Sequence, residues 1–544
     1  MRRLTRARNF GLAIAIIAAL ASACTRSGGN PNGTPSDTLH IALYGEPHSL
    51  NPLLPGNTAD NMLASIAFDL LVTLDDKQRQ VPDLAAVVPT LQNGGISRDG
   101  KTITYHLRNG VKWQDGVAFS SADVKFTWQA VMNPRNNVVT RRGYDQVASV
   151  DTPDAGTVVF HLKHPFAPFI DTVFGESDSP YRILPKHLLE KYPDINQIPF
   201  NSLPVGTGPF RVAKWIRGDR IEYVANPNYF RGKPKLARVD VQVVPDMNTQ
   251  AAMLRSHQTD VIIDLTASKY RDLRDVSGVK IYLAESPQYE GIILNLSHPP
   301  LDELPVRKAI FQAIDRESVA RNLEYGTATI AKADLSPFYW AFDPNVKNYP
   351  YDPKEAAATL DAAGWRVGPG GIRQKNGTPL SLQLVFGQGS ETARAVATLI
   401  QANLRQVGID TPIKTYLYSQ LLAIKSEGGI FTNGKFDLGV YSWISGADPD
   451  NSSQFTCDQM PPNGNNSMRY CSAEMDAAQQ IATTTFDRAV RKKQYSIIQQ
   501  RIATDVPLVV LFYAKLRYAL SEPVQNFTPN GISEGWNAYD WSMR

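Results

Sequence analysis

The sequence predicts a mixed α/β protein built from more than one domain. Its apolar residues alternate with polar ones along some stretches, which is the period of β-strands. Along other stretches they recur every three or four positions, which is the period of α-helices. Glycine, proline and asparagine separate these stretches. A chain of 544 residues is long enough for two to four domains, each with its own core.

The clearest element order lies between Gly206 and Val261. Two alternating runs, 210–216 and 221–225, flank Gly218-Asp219, which predicts a β-hairpin with a two-residue turn. A turn-rich loop follows the hairpin. The pattern then predicts a strand, a short helix and a second strand, at 236–243, 250–254 and 260–263.

The other elements are predicted from the same two periods. Ser120 or Ser121 can cap a helix that starts at 121, and Asp352-Pro353-Lys354-Glu355 has the cap, proline and acid of a helix start. Further helices are expected at 61–71, 305–323 and 392–407, and the one after Asp352 should end at Gly364. Strands are expected at 39–44, 102–107, 158–162, 380–384, 436–443 and 506–512.

The charge distribution gives no reason to expect a nucleic-acid partner. The formal net charge is +4, and Arg2, Arg3, Arg6 and Arg8 account for all of it, because no acidic residue occurs before Cys24. Hydrophobic residues make up 43% and charged residues 20% of the chain, as in an ordinary globular protein. The chain from Cys24 onward therefore has no net positive charge.

The first residues have the pattern of a bacterial lipoprotein signal. A basic stretch precedes an apolar run, 11–20, that is too short for a membrane span, and Ala21-Ser22-Ala23-Cys24 follows. We expect a signal peptide at 1–23, lipidation of Cys24 and a flexible tether at 24–37. The alternative is plain signal cleavage beside an incidental cysteine. No other apolar run approaches membrane length.

Export also bears on the two remaining cysteines. Outside the cytoplasm a disulfide between Cys457 and Cys471 can form, and closing a loop of that size contributes about 3 kcal/mol in the chain-entropy model. The alternative is two free thiols.

Motifs for catalysis or cofactor binding are absent from the sequence. It contains no G-x-S-x-G elbow, no phosphate-binding loop and no dinucleotide-binding glycine pattern, and its histidines lack metal-site spacing. Asp448 and Asp450 could be a carboxylate pair, but the proline between them favours a turn or a cap. We therefore expect no catalytic residue, no metal and no cofactor.

Several segments resemble one known family in order along nearly the whole mature chain. The sequence reads E-P-H-S-L-N-P at 46–52, L-R-N-G-V-K-W-Q-D-G at 107–116, G-T-G-P-F at 206–210 and N-P-N-Y-F-R-G-K-P at 226–234. These motifs are similar to those of the solute-binding proteins of peptide/nickel-type ABC importers, solute-binding protein family 5.

The resemblance implies a two-lobed periplasmic-binding-protein-like fold of type II with an additional inserted domain. Lobe I would be discontinuous, the additional domain would follow its first piece, and lobe III would hold the other wall of the ligand cleft. The implied ranges are 38–60, 185–287 and 506–544 for lobe I, 61–184 for the additional domain and 288–505 for lobe III.

The implied function is capture of a peptide or peptide-like solute between lobes I and III and its delivery to the permease of an ABC importer. The protein would be an extracytoplasmic, lipid-anchored monomer and not an enzyme. Binding of a non-peptide solute, such as a sugar or a metal chelate, is an alternative function. A ligand sensor on the same fold is another. An extracytoplasmic hydrolase is the remaining alternative.

The resemblance also suggests ligand-binding residues, which are Glu46, Asn295, Trp340, Trp443, Ser445, Gly446 and Asp448. In peptide-binding relatives, an aspartate in a W-x-x-D loop pairs with the α-ammonium of the peptide. The matching position here is Gly446, and Asp448 comes two residues later. Either Asp448 has taken the role or the ligand has no free ammonium at this point.

Overall fold

One large mixed sheet organises the part of the chain that the structure describes. This computed structural model describes residues 37–54, 56 and 58–544. The predicted signal peptide and the lipidation site Cys24 lie outside these residues. Besides the large sheet, the described part contains four small sheets of two or three strands.

The strands follow in chain order. They are β1 (Thr38–Leu43), β2 (Val72–Leu74), β3 (Gln80–Pro82), β4 (Thr102–His106), β5 (Val147–Asp154), β6 (Thr157–Leu162), β7 (Phe210–Ile216), β8 (Arg220–Ala225), β9 (Arg238–Val243), β10 (Val261–Ile262), β11 (Val279–Leu294), β12 (Thr329–Ile330), β13 (Arg366–Val367), β14 (Arg373–Lys375), β15 (Thr378–Pro379), β16 (Leu384–Gly387), β17 (Ile413–Tyr416), β18 (Leu438–Ile444), β19 (Leu508–Ser521), β20 (Val524–Gln525) and β21 (Ser542–Met543).

The α-helices lie between the strands, mostly as short segments. They are α1 (Thr58–Ala67), α2 (Ser121–Met132), α3 (Phe169–Thr172), α4 (Lys186–Leu189), α5 (Met247–Arg255), α6 (Ala267–Leu273), α7 (Leu304–Ala313), α8 (Arg316–Glu324), α9 (Pro353–Ala362), α10 (Glu391–Gln406), α11 (Tyr418–Leu422), α12 (Ser452–Phe455), α13 (Ala473–Thr484) and α14 (Arg488–Asp505). Within the described part, none of these helices has both the length and the apolar character to cross a membrane.

The large sheet has the strand order β17-β16-β18-β11-β19-β10-β1-β9-β8-β7, and β12 pairs with β19 outside this path. The long strands β11 and β19 pair antiparallel, from Val279 opposite Ser521 to Ile293 opposite Leu508. They join the part of the sheet that contains β1 to the part that contains β18. The predicted boundary at 287–288 falls inside β11, at a register shift between Glu285 and Tyr289.

The structure confirms the predicted hairpin and explains the glycines before it. β7 and β8 pair antiparallel up to Ile216 opposite Arg220, and Gly218 has a φ of 75° in the turn. Gly206 and Gly208 lie against the Ala67 backbone, where an added Cβ would overlap the Ala67 carbonyl group. A side chain at either position would push the loop away from α1.

Four predicted elements differ clearly from the structure, and the first is the helix expected at 61–71, which ends already at Ala67. The single helix at 305–323 is wrong, because Ile314 is extended and Asp315 caps a new helix by accepting a hydrogen bond from the Ser318 amide (2.9 Å). The strand expected at 506–512 starts at Leu508 and continues to Ser521. The strand expected at 380–384 is β16, which starts only at Leu384.

The predicted disulfide is confirmed. Cys457 and Cys471 are bonded, with their Cα atoms 4.6 Å apart. The bridge closes the loop between α12 and α13, and Asn466 inside this loop donates hydrogen bonds to the Thr456 and Tyr470 carbonyls (3.0 and 2.7 Å). The loop is therefore held both covalently and by a buried amide.

Candidate ligand-binding site

A cavity of about 530 Å³ lies beside the central strands of the large sheet. Residues of β11, β18 and β19 form one wall, and the first turns of α10 and the segment around α11 form another. Because alternate residues of a strand point to the same face, Val440 and Ser442 lie on one face of β18 and Tyr441 and Trp443 on the other, and residues of both faces line the cavity. The sheet thus supplies a regular, rigid wall.

Aromatic side chains cover much of the wall formed by β18. Tyr441 and Trp443 are two residues apart on the strand, and their rings stack with centroids 6.0 Å apart and planes 16° apart. Phe431 packs edge-on against Tyr441, and Tyr418 of α11 also lines the cavity. This surface suits apolar groups or the flat faces of peptide units.

Glu290 of β11 is an acidic residue that directly precedes the apolar end of the strand, 291–294. Its carboxylate accepts a hydrogen bond from the Gln288 side-chain amide (2.7 Å), and the same amide donates to the Ser442 hydroxyl (2.9 Å). Ser442 lies directly opposite Glu290 on β18. Burial raises the pKa of Glu290 above its usual value of 4.5. These contacts hold the carboxylate at the cavity wall.

A second acidic residue, Asp264, follows β10 at the other end of the same cavity. Its backbone is left-handed, with a φ of 55°, and the next residue, Leu265, donates its amide hydrogen to the Arg517 carbonyl (2.9 Å). The Asp264 side chain is exposed at this end of the cavity.

The basic residues of the cavity are both on β19, and both are paired. The Lys515 ammonium lies 2.7 Å from Glu285, and Arg517 forms an ion pair with Glu324. Arg517 also donates to the Thr327 hydroxyl (3.1 Å). These pairs neutralise the positive charge of the wall.

A small polar pocket of about 40 Å³ lies on the other side of Trp443. Ser445 accepts a hydrogen bond from the Trp443 indole (2.8 Å), and the Ala447 amide donates to the Glu176 carbonyl (2.7 Å). Gly446 lies against the backbone of Ser177, where an added Cβ would be 2.7 Å from its Cα. Only glycine allows this close approach.

Asp448 is committed to a buried ion pair in this pocket. Both of its carboxylate oxygens lie 2.7 Å from the same Arg491 nitrogen. Burial alone would lower the pKa of Arg491, but the Asp448 carboxylate raises it. Arg142, which is more exposed, pairs with one carboxylate oxygen of Asp450 (2.6 Å). The loop that follows β18 is therefore held by two arginines.

Asp171 is a buried carboxyl group without an ion-pair contact among the described residues. It accepts a hydrogen bond from the Gln80 side chain (2.7 Å) and is 8% exposed. Burial, together with the nearby charge of Asp448, raises the pKa of Asp171 to about 7.

We expect the stability of the wild type to fall as the pH rises, and we expect Asp171→Asn to lack this fall. The folded protein keeps the Asp171 proton between about pH 4 and pH 7, where the unfolded chain has lost it, so stability falls as the pH rises through this window. From pH 5 to pH 8 the variant should gain at least about 1 kcal/mol relative to the wild type. Urea unfolding at both pH values measures this difference, and a pH-independent difference would contradict the assignment.

The structure brings together four of the seven predicted site residues. Trp443 lines both the cavity and the small pocket, and Ser445, Gly446 and Asp448 line the small pocket.

The other three predicted residues make contacts elsewhere. Glu46 accepts hydrogen bonds from the Trp215 indole and the Gly218 amide (both 3.2 Å). Asn295 is buried and donates to the Gly434 and Phe436 carbonyls (both 3.0 Å). Trp340 packs edge-on against Tyr495. These three side chains hold neighbouring segments in place.

Comparison with known proteins assigns the chain to a protein family. The family model described as bacterial extracellular solute-binding proteins, family 5 Middle, matches residues 80–463, which is well over half of the sequence. The chain belongs to family 5 of the bacterial extracellular solute-binding proteins.

Relatives and solved structures match this family 5 protein over nearly its whole length. The oligopeptide-binding protein AppA of Bacillus subtilis (strain 168) is 28% identical over 526 residues, which cover 96% of this chain and 94% of AppA. NikZ from Campylobacter jejuni, solved in complex with Ni(L-His), is 28% identical with a TM-score of 0.77 and covers 94% of this chain and 100% of its own. AppA from Bacillus subtilis, solved in complex with a nonapeptide, is 26% identical with a TM-score of 0.76, with the same coverage of both chains.

The predicted family and fold class are thereby confirmed. This family 5 protein has the two-lobed α/β fold of type II periplasmic binding proteins with an additional domain. It is an extracytoplasmic solute-binding protein of the kind that serves ABC importers, and its relatives are binding proteins rather than enzymes.

Proposed function

We propose that this protein binds a peptide or peptide-like solute in the 530 Å³ cavity and delivers it to the permease of an ABC importer. The cavity carries the proposal. Its volume is within the roughly 300–1,000 Å³ of small-ligand sites, and its walls combine stacked aromatic rings with a few fixed polar groups. The similarity to AppA, solved with a nonapeptide, supports a peptide.

We further propose that the ligand lies between lobe I (38–60, 185–287 and 506–544) and lobe III (288–505), with 61–184 as the additional domain. The cavity is lined from both sides of this division, by Asp264 and Leu265 and by residues of β18 and α10. Trp443 stands at the centre of the proposed site, because it lines both the cavity and the small pocket.

A metal chelate is the second candidate ligand, because NikZ was solved with Ni(L-His). Among the described residues, those that line the cavity include no histidine and so offer no imidazole ligand there. This composition favours a peptide over a nickel chelate.

The test of the proposed function is binding without turnover. A peptide pool should change the Trp443 fluorescence saturably, and mass spectrometry should recover the bound peptides unchanged. The matched control is Trp340→Phe, which should keep the signal, whereas Trp443→Phe should lose most of it, since Trp340 is outside the cavity. Absence of peptide binding, or steady release of cleaved products, would reject the proposal.

We also propose that Cys24 becomes the lipidated N-terminus and that the protein is attached to the membrane as a monomer through it. The arginines, the apolar run and the small residues before Cys24 support this. Radiolabelled palmitate should label the wild type, and Cys24→Ser should abolish the label completely. The control Cys457→Ser/Cys471→Ser should keep it, and labelling of Cys24→Ser would disprove lipidation at this residue.

A further inference from the structure

Two acidic residues of the cavity have no basic partner among the described residues. Glu290 accepts hydrogen bonds only from the uncharged side chains of Gln288 and Ser442. Asp264 has no side-chain hydrogen bond or ion pair with any described residue. Both residues line the cavity, where Asp264 is exposed and Glu290 is half-buried.

The positive charges of the same wall cannot compensate for these acids. Lys515 and Arg517 are already paired with Glu285 and Glu324. Therefore two carboxylates remain whose charge no group of the described residues balances. A bound ligand is then the available source of positive charge, because a ligand that fills the cavity removes both carboxylates from water, and a charge removed from water requires a partner.

The two acids lie at opposite ends of the cavity. Glu290 is opposite Phe512 on β19, whereas Leu265, next to Asp264, bonds to Arg517 on the same strand. Five residues along a strand correspond to about 16 Å. An extended peptide would place side chains four residues apart at a similar distance, within reach of both acids.

We propose that the site selects cationic peptides, with one basic group at Glu290 and another at Asp264, and rejects acidic ones. This inference rests on the proposed peptide-binding function and adds the charge of the ligand to it. Rejection follows from the same groups, since an acidic ligand would place like charges side by side.

The test compares three heptapeptides with free termini. Their sequences are identical except at positions two and six. They are Ala-Lys-Ala-Ala-Ala-Lys-Ala and its glutamine and glutamate counterparts, titrated into the mature protein by calorimetry. We expect the lysine peptide to bind at least about tenfold more tightly than the glutamine peptide, and the glutamate peptide to bind more weakly than both.

Substitutions at the two acids test whether these residues cause the preference for the lysine peptide. Glu290→Gln and Asp264→Asn should each weaken the lysine peptide about tenfold and change the glutamine peptide less than about twofold. Glu285→Gln frees Lys515 and should also weaken the lysine peptide, although Glu285 does not line the cavity. Asp275→Asn, which changes an acid that is 84% exposed outside the cavity, should leave all three affinities unchanged.

The outcomes separate this inference from the proposed function. Equal affinity of the wild type for the lysine and glutamine peptides would overturn charge selection and leave peptide binding intact. Failure of all three peptides to bind would overturn both. Because the wild-type comparison needs no variant, misfolding of Glu290→Gln or Asp264→Asn would not obscure the result.

Discussion

Replacing Arg491 by methionine is expected to lower the free energy of unfolding by about 3–5 kcal/mol. The substitution leaves the Asp448 carboxylate buried without its partner, since both oxygens now contact Arg491 at 2.7 Å. It also removes the hydrogen bond from the Arg491 side chain to the Ala482 carbonyl (2.8 Å). Urea unfolding followed by circular dichroism measures the loss.

Two controls distinguish the broken pair from the loss of an arginine as such. Arg405→Met removes an exposed arginine, 3.7 Å from Asp410, and should change stability by less than about 1 kcal/mol. The double variant Asp448→Asn/Arg491→Met should recover part of the loss, because the uncompensated charge is gone. If Arg491→Met and Arg405→Met are equally stable, the buried pair is not important to the fold.

Gly446→Ala is expected to destabilise the protein by about 1–3 kcal/mol. The new methyl group would lie 2.7 Å from the Ser177 Cα and 2.8 Å from the Asp178 nitrogen, and neither backbone atom can rotate away. The loop would have to move, which breaks the hydrogen bond from the Ala447 amide to the Glu176 carbonyl. The midpoint of urea unfolding should fall accordingly.

Gly45→Ala is the matched control for this prediction. A Cβ at Gly45 would meet no atom within 4 Å, and its backbone is not in the left-handed region. The same added methyl group should therefore have almost no effect there. If Gly446→Ala is as stable as Gly45→Ala, the loop can move without loss of stability, and the prediction is wrong.

Much of the fold could be predicted because local patterns determine it. The hairpin β7–β8 has alternating residues and a glycine turn, so sequence and structure agree. The helix break at Ile314 could not be read from periodicity, since the apolar spacing continues through it. Its signal is Asp315, which is a good cap for the Ser318 amide.

The candidate site was harder to predict from the sequence than the fold. Trp443, Ser445 and Gly446 form one local loop, and a motif could identify them together. Glu290 lies in β11 and Asp264 follows β10, and only the folded sheet brings both residues to the cavity. A signal for Glu290 was present, because an acid directly before the apolar run 291–294 is uncommon without a reason. Asp264 gave no comparable signal, since its position follows from tertiary structure alone.

The position of β19 in the sheet determines when the fold can be completed. Strand β10 pairs with β19, and the Ser521 amide donates to the Asp260 carbonyl (2.8 Å) across a separation of 261 residues. A ribosome must pass residue 521 before β10 and β11 gain their shared neighbour. A stop codon upstream of β19 would leave both strands with an open edge, which invites aggregation. The large sheet is therefore completed only when almost the whole chain has been made.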